Sequence, residues 1–131
     1  MKTFVCSLLL LVALSPALAA DVPQGRVIEI IAASDNTFRM AHEKSAVIHA
    51  RAGETLCLRI TSQRGSELAR DGAVHSLVVR SLRDDGWDLR LYEGTHDYQV
   101  KAPAPGEYLI ECTVKCGRGH DDMHMKVIVG K

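Results

Sequence analysis

An all-β sandwich or barrel of about seven or eight strands is the fold class this sequence predicts, and a few observations carry it. Short runs of four to seven residues, seven in number, are rich in β-branched and apolar side chains. Clusters of turn-forming residues separate them. No window of 11 or more residues carries a clean helical period.

Taken in chain order, the first element is not part of that domain. Met1-Lys2 leads into the apolar stretch Phe4 to Leu14, and Ser15-Pro16-Ala17-Leu18-Ala19-Ala20 offers a small-residue site of the A-x-A form. Residues 1–20 are expected to be a secretory signal peptide, cleaved after Ala19 or Ala20 on export to the periplasm. A retained anchor needs about 18 to 20 apolar residues in a row. This run is shorter and is broken by Ser15-Pro16, so no stable membrane insertion is expected. Residues 21–131 then form one domain, long enough for a single modest core.

The expected strands are Val27–Ile31, Ala46–His49, Thr55–Thr61, Ser76–Arg80, Asp97–Val100, Glu107–Cys112 and Met125–Val129. The turns between them include Ser34-Asp35-Asn36, Ala52-Gly53-Glu54, Asp84-Asp85-Gly86, Glu93-Gly94-Thr95 and Pro103-Ala104-Pro105-Gly106, with spacings that fit antiparallel connections. The stretches Gln63–Gly72 and Leu82–Leu91 have no clear period, and Ser66–Arg70 is compatible with one helical turn. Strand parity puts Leu56, Leu58 and Ile60 on one face, with Cys57, Arg59 and Thr61 opposite. Tyr108, Ile110 and Cys112 likewise share a face, so Cys112 emerges at the rim of the sheet, where a rigid strand fixes it.

Charge narrows the partners. Removal of Lys2 with residues 1–20 leaves 15 basic against 16 acidic side chains, a net charge of −1. No basic excess is present for nucleic acid or an anionic membrane. Cys6 leaves with the signal, and Cys57, Cys112 and Cys116 remain: an odd number, so at least one thiol of the exported chain is outside an internal disulfide.

The informative stretch is Cys112-Thr113-Val114-Lys115-Cys116-Gly117-Arg118-Gly119-His120-Asp121-Asp122-Met123, which packs two thiols, an imidazole and a thioether into twelve residues. Thiolate and thioether donors select copper over hard cations, and imidazole suits copper or zinc. Gly117 and Gly119 allow the loop to fold sharply. A mononuclear copper site needs one thiolate, two imidazoles and a weak thioether, which leaves a thiolate over. Two thiolates shared by two copper ions would use it, given a second imidazole from elsewhere. His75, at the head of the apolar run Ser76-Leu77-Val78-Val79, is the best candidate.

The pattern C-x3-C-G-x-G-H-x-x-M after a strand, with Val74-His75-Ser76 upstream, resembles the CuA domain of cytochrome c oxidase subunit II, a member of the cupredoxin family. Ala52-Gly53-Glu54-Thr55-Leu56 and Pro105-Gly106-Glu107-Tyr108 resemble that family as well, so the likeness extends over nearly all of residues 21–131. It implies a Greek-key β-sandwich of the cupredoxin type. It also implies two copper ions, with Cys112 and Cys116 as bridging thiolates, His75 and His120 as terminal imidazoles, and Met123 and the backbone carbonyl of Val114 as weak ligands.

The chain departs from that pattern at several points. Family members commonly have Glu or Gln where Val114 stands, an aromatic residue where Leu77 stands, and an acidic residue nearer the first histidine than Asp71. The oxidase subunit's membrane helices have no counterpart, which implies a stand-alone role. From the residues alone, a single copper or another metal ion, a Cys112–Cys116 disulfide if the loop brings the Cα atoms within about 7 Å, or a loop without metal stays open.

Other candidates read as structural. His42, His49 and His96 are expected to be ordinary surface residues. Cys57 reads as packing. His124 and Met125 follow Met123 directly, and Met125 shares parity with Val127 and Val129, which favours the core. Trp87, Lys115 and Arg118 fit either a docking surface near the metal or solvated loops.

The function these features imply is a periplasmic one-electron carrier that works with a redox partner protein such as a cytochrome or an oxidase. No acid–base pair or open coordination position accompanies the cluster, so no enzyme is predicted. The alternative is a copper chaperone or a sequestering protein.

Overall fold

In the computed structural model, which describes residues 25–131, the alternation of apolar and polar side chains sets two sheets face to face. In β1 (Arg26–Ala32) the residues Ile28, Ile30 and Ala32 turn inward and are buried. β4 (Thr55–Ser62) does the same with Leu56, Leu58 and Ile60, and β9 (His124–Gly130) with Met125, Val127 and Val129. Each Leu or Ile removed from water in this way contributes about 1.5–3 kcal/mol.

The remaining strands are β2 (Phe38–Met40), β3 (Val47–Arg51), β5 (His75–Val78), β6 (Asp88–Leu91), β7 (Gly94–Lys101) and β8 (Gly106–Glu111). One sheet has the order β2-β1-β4-β7 and the other β3-β9-β8-β5-β6. All seven expected strands are present. β2 and β6 are additional, and both are too short, at three and four residues, to carry a readable alternation. The expected signal peptide, residues 1–20 with its cleavage position at Ala19 or Ala20, lies outside the described residues. Among those residues no helix is long and apolar enough to cross a membrane.

Three expectations are corrected. The sheets are mixed: β1 pairs with β4 in parallel, Ile30 beside Ile60, and β3 pairs with β9 in parallel, Ile48 beside Val127. Short turns dictate antiparallel pairing only for strands that follow one another, such as β8 and β9. Between β1 and β4 the chain crosses to the other sheet through β3, and it returns in the direction of β1. Ser66–Arg70 forms no helical turn; the segment is irregular until a turn closes with Gly72 N–H donating to the Ala69 carbonyl at 2.9 Å. Trp87 is neither solvated nor near the donor residues. It is fully buried, and its Nε1–H donates to the Lys101 carbonyl at 2.9 Å.

Cys57 is 3% exposed yet stands on the outer face of its sheet, between Val27 of β1 and Gln99 of β7. Burial, with Asp97 adding to it and Arg59 opposing, raises its thiol above the ordinary range. A neutral, covered thiol of this kind packs rather than reacts.

Candidate metal centre

β5 and β8 bring the distant parts of the donor set to one end of the sandwich. All four residues of β5 are buried, and His75 opens it at 0% exposure. β8 ends at Glu111, so Cys112 is the first residue past the strand. Its N–H still donates to the Met123 carbonyl at 3.1 Å, which ties the two ends of the loop 113–122 together.

Within that loop, His120 N–H donates to the Gly117 carbonyl at 3.1 Å and Met123 N–H to the His120 carbonyl at 3.1 Å, forming a short 3₁₀ turn over His120–Asp122. Gly117 and Gly119 adopt φ of 118° and 91°, where a side chain is strained. A Cβ on Gly117 would also lie 2.1 Å from Ser66 Oγ. The glycines expected to let the loop fold sharply do so here, and one of them also admits a neighbouring segment.

The side chains converge. The Sγ atoms of Cys112 and Cys116 are 4.0 Å apart, with no disulfide between them. Cys116 Sγ lies 3.6 Å from His120 Nδ1 and 3.8 Å from Met123 Sδ. Cys112 Sγ lies 3.3 Å from the Val114 carbonyl oxygen. Donor atoms of His75, Cys112 and Cys116 all fall within 4.8 Å of one another. Cys116 is 0% exposed and Met123 1%, Cys112 is buried, and His120 is half-buried. The six positions named from the sequence are thus brought to one end of the sandwich, with His75, Cys112 and Cys116 mutually close, His120 and Met123 beside Cys116, and the Val114 carbonyl beside Cys112. His42, His49, His96 and His124 are exposed, and Met125 is in the core.

The tautomer of His75 follows from its neighbours. Its Nε2 lies 2.8 Å from the Gln63 carbonyl, which only accepts, so Nε2 carries the proton. Nδ1 is then a lone pair. It is buried and has no hydrogen-bond partner. An orphaned buried acceptor costs about 1–3 kcal/mol. Beside the thiols of Cys112 and Cys116 it is the donor a soft or borderline metal ion would satisfy.

Burial, followed by the Cys112 thiol beside it, pushes the Cys116 thiol up to about 12. Burial also lowers the His75 pKa, opposed by the Gln63 carbonyl, which accepts from the ring. Without a metal, both groups are neutral at neutral pH.

Residues outside the predicted set hold this arrangement. Ser76 N–H donates to Cys112 Sγ at 3.4 Å, and Ser76 Oγ accepts from Thr113 N–H at 2.7 Å and meets Thr113 Oγ1 at 2.9 Å. Asn36, buried and at φ 59°, donates from Nδ2 to the Arg118 carbonyl at 2.6 Å. Gly65 packs so closely that its Cβ would lie 2.5 Å from the Cys116 carbonyl oxygen. The V-H-S phrase marked Ser76 as a neighbour of the site. Nothing local in the sequence marks Asn36, Gln63 or Gly65, whose partners are distant in the chain. Ser76→Ala leaves Thr113 N–H without its acceptor and is expected to destabilise the metal-free protein by about 1–3 kcal/mol, read by denaturant unfolding.

No protein-family profile and no curated protein sequence matches this chain. Solved structures do. A chain of a heme-copper terminal oxidase dimer superposes with a TM-score of 0.58 at 19% identity, over 82% of this chain and 66% of that one. This chain thus spans just under two thirds of the oxidase chain's length. The periplasmic domain of subunit II of cytochrome oxidase from Bradyrhizobium japonicum gives a TM-score of 0.54 at 13% identity, over 84% of this chain and 88% of that domain. Auracyanin B gives 0.53 at 18% identity, over 86% and 94%. Two β-sheets in this order, together with these superpositions, give the chain a fold of the cupredoxin type.

Proposed function

We propose that this protein is an exported copper-binding electron carrier with a binuclear site. Cys112 and Cys116 would supply two thiolates, His75 Nδ1 and His120 Nδ1 two imidazoles, and Met123 Sδ and the Val114 carbonyl two weaker donors. The observation that carries the reading is the buried lone pair of His75 Nδ1 standing without a partner beside two thiols. A single copper ion would leave one thiol unused, whereas sharing accounts for both.

Bound copper would supply one-electron chemistry by cycling between its two oxidation states. The protein's part is to hold its donors still. Ser76 fixes the Cys112 sulfur and the start of the loop, Asn36 fixes the loop at Arg118, and Gln63 fixes the His75 ring. Donors that do not move between oxidation states keep the barrier to electron transfer low. The superposition on oxidase and auracyanin structures supports the same reading at the level of the fold, and residues 1–20 support export. A cytochrome or an oxidase is the kind of partner such a carrier serves.

Burial makes metal uptake dependent on pH. Cys116 is a neutral thiol in the metal-free protein, with its pKa raised from 9.0 to about 12, so its coordination releases a proton. Affinity is expected to fall as pH falls, by about tenfold per pH unit for each thiol proton displaced. Copper titrations across neutral pH, with released protons followed by an indicator dye, check this. The carrier reading itself is tested by challenge with a mild copper chelator. Retention of metal through repeated reduction and oxidation is expected, and rapid loss would favour a copper-delivery role instead.

A further inference from the structure

Three of the donor residues, Cys112, His120 and Met123, line a surface groove of about 250 Å³ whose rim carries His124, Asp121 and the Arg80–Glu111 ion pair. The rest of the donor set is sealed. His75 and Cys116 are 0% exposed, and the segment around Gly65 closes over the Cys116 backbone without room for a Cβ. Cys112, by contrast, keeps 6% exposure. An ion arriving from solvent through this groove meets the half-buried His120 and then Cys112, whereas Met123, 1% exposed, lies beneath them.

His124 stands at the mouth of that route. It opens β9 directly opposite Glu111 of β8, and its side chain is exposed while the next residue, Met125, turns into the core. The Glu111 carboxylate is engaged by Arg80 at 2.6 Å. Among the described residues the His124 ring makes no hydrogen bond, so its nitrogens are left to solvent and the groove. An imidazole at the rim, with the His120 imidazole and the Cys112 thiol further in, forms a series of donors suited to copper(I), whereas the neighbouring carboxylates are hard donors that bind this ion weakly.

We propose that this groove is the loading route for copper(I), with His124 as the first donor to capture the ion and His120 and Cys112 as the donors that receive it. The inference rests on the copper reading above. Each handover replaces one donor by another with no change of oxidation state, and the proton displaced from the Cys112 thiol leaves to water through the groove. His124 is not a ligand of the finished site in this scheme. It acts on the rate of loading and leaves the product unchanged.

The test is anaerobic stopped-flow mixing of the metal-free protein with a coloured copper(I)–bicinchoninate complex, following the loss of colour. His124→Ala and His124→Gln are expected to slow capture about tenfold, as the loss of a local concentrating site does. Bound copper at completion and the spectrum of the oxidised product should match the unaltered protein. His42→Ala, which removes an exposed imidazole outside the groove, should load at the unaltered rate. Loading of both His124 variants at the unaltered rate would overturn the proposal. So would a changed stoichiometry or spectrum, which would make His124 a ligand of the finished site. If the unaltered protein takes no copper from the complex, the copper reading fails as a whole, an outcome distinct from unaltered kinetics in the variants.

Discussion

Replacing Cys116 by serine is expected to reduce bound copper from two ions per chain to one or none and to abolish the spectrum of the shared site. Cys116 is at the centre of the donor set: its sulfur lies 4.0 Å from Cys112 Sγ, 3.6 Å from His120 Nδ1 and 3.8 Å from Met123 Sδ. Serine keeps the shape, but its hydroxyl does not ionise in this pH range and is a harder donor. Cys57→Ser is the matched control. The same change of atom on the outer face of the opposite sheet, between Val27 and Gln99, is expected to leave copper content untouched. Metal analysis of the two variants side by side separates loss of a ligand from loss of a buried thiol.

Trp87→Ala is expected to produce the largest loss of stability, about 3–5 kcal/mol for an aromatic residue removed from a packed core. The indole is 0% exposed, and its removal also leaves the Lys101 carbonyl without its donor. β6 runs antiparallel to β5, with Leu91 opposite His75 and Asp88 opposite Val78. Trp87, which precedes Asp88, is thus at the end of this hairpin away from His75. At a temperature where the variant is still folded, its copper spectrum should match the unaltered protein. Denaturant unfolding gives the first quantity and absorption spectroscopy the second.

Much of this was legible in the sequence because it is written locally. The β-branched runs specify the strands by their own alternation, and twelve consecutive residues hold four of the side-chain donors. His75 required a longer inference, drawn from the need for a second imidazole and from its place at the head of an apolar strand. What was not legible depends on chain crossings. Parallel pairing of β1 with β4 has no signature inside either strand. Asn36 reads as a turn residue until the fold brings Arg118 against it, and Gln63 contributes only a carbonyl that any residue would supply. Trp87 reads as a loop residue for a related reason: it follows the polar turn Asp84-Asp85-Gly86, and only the β5–β6 hairpin folds it back into the core.

A pair of copper ions held by two thiolates and two imidazoles would share one unpaired electron. The most direct test is an EPR spectrum of the copper-loaded, oxidised protein beginning at residue 20 or 21, with bound copper counted on the same sample. Two coppers per chain and hyperfine structure arising from two equivalent copper nuclei are expected. One copper per chain with a four-line signal would contradict a binuclear site.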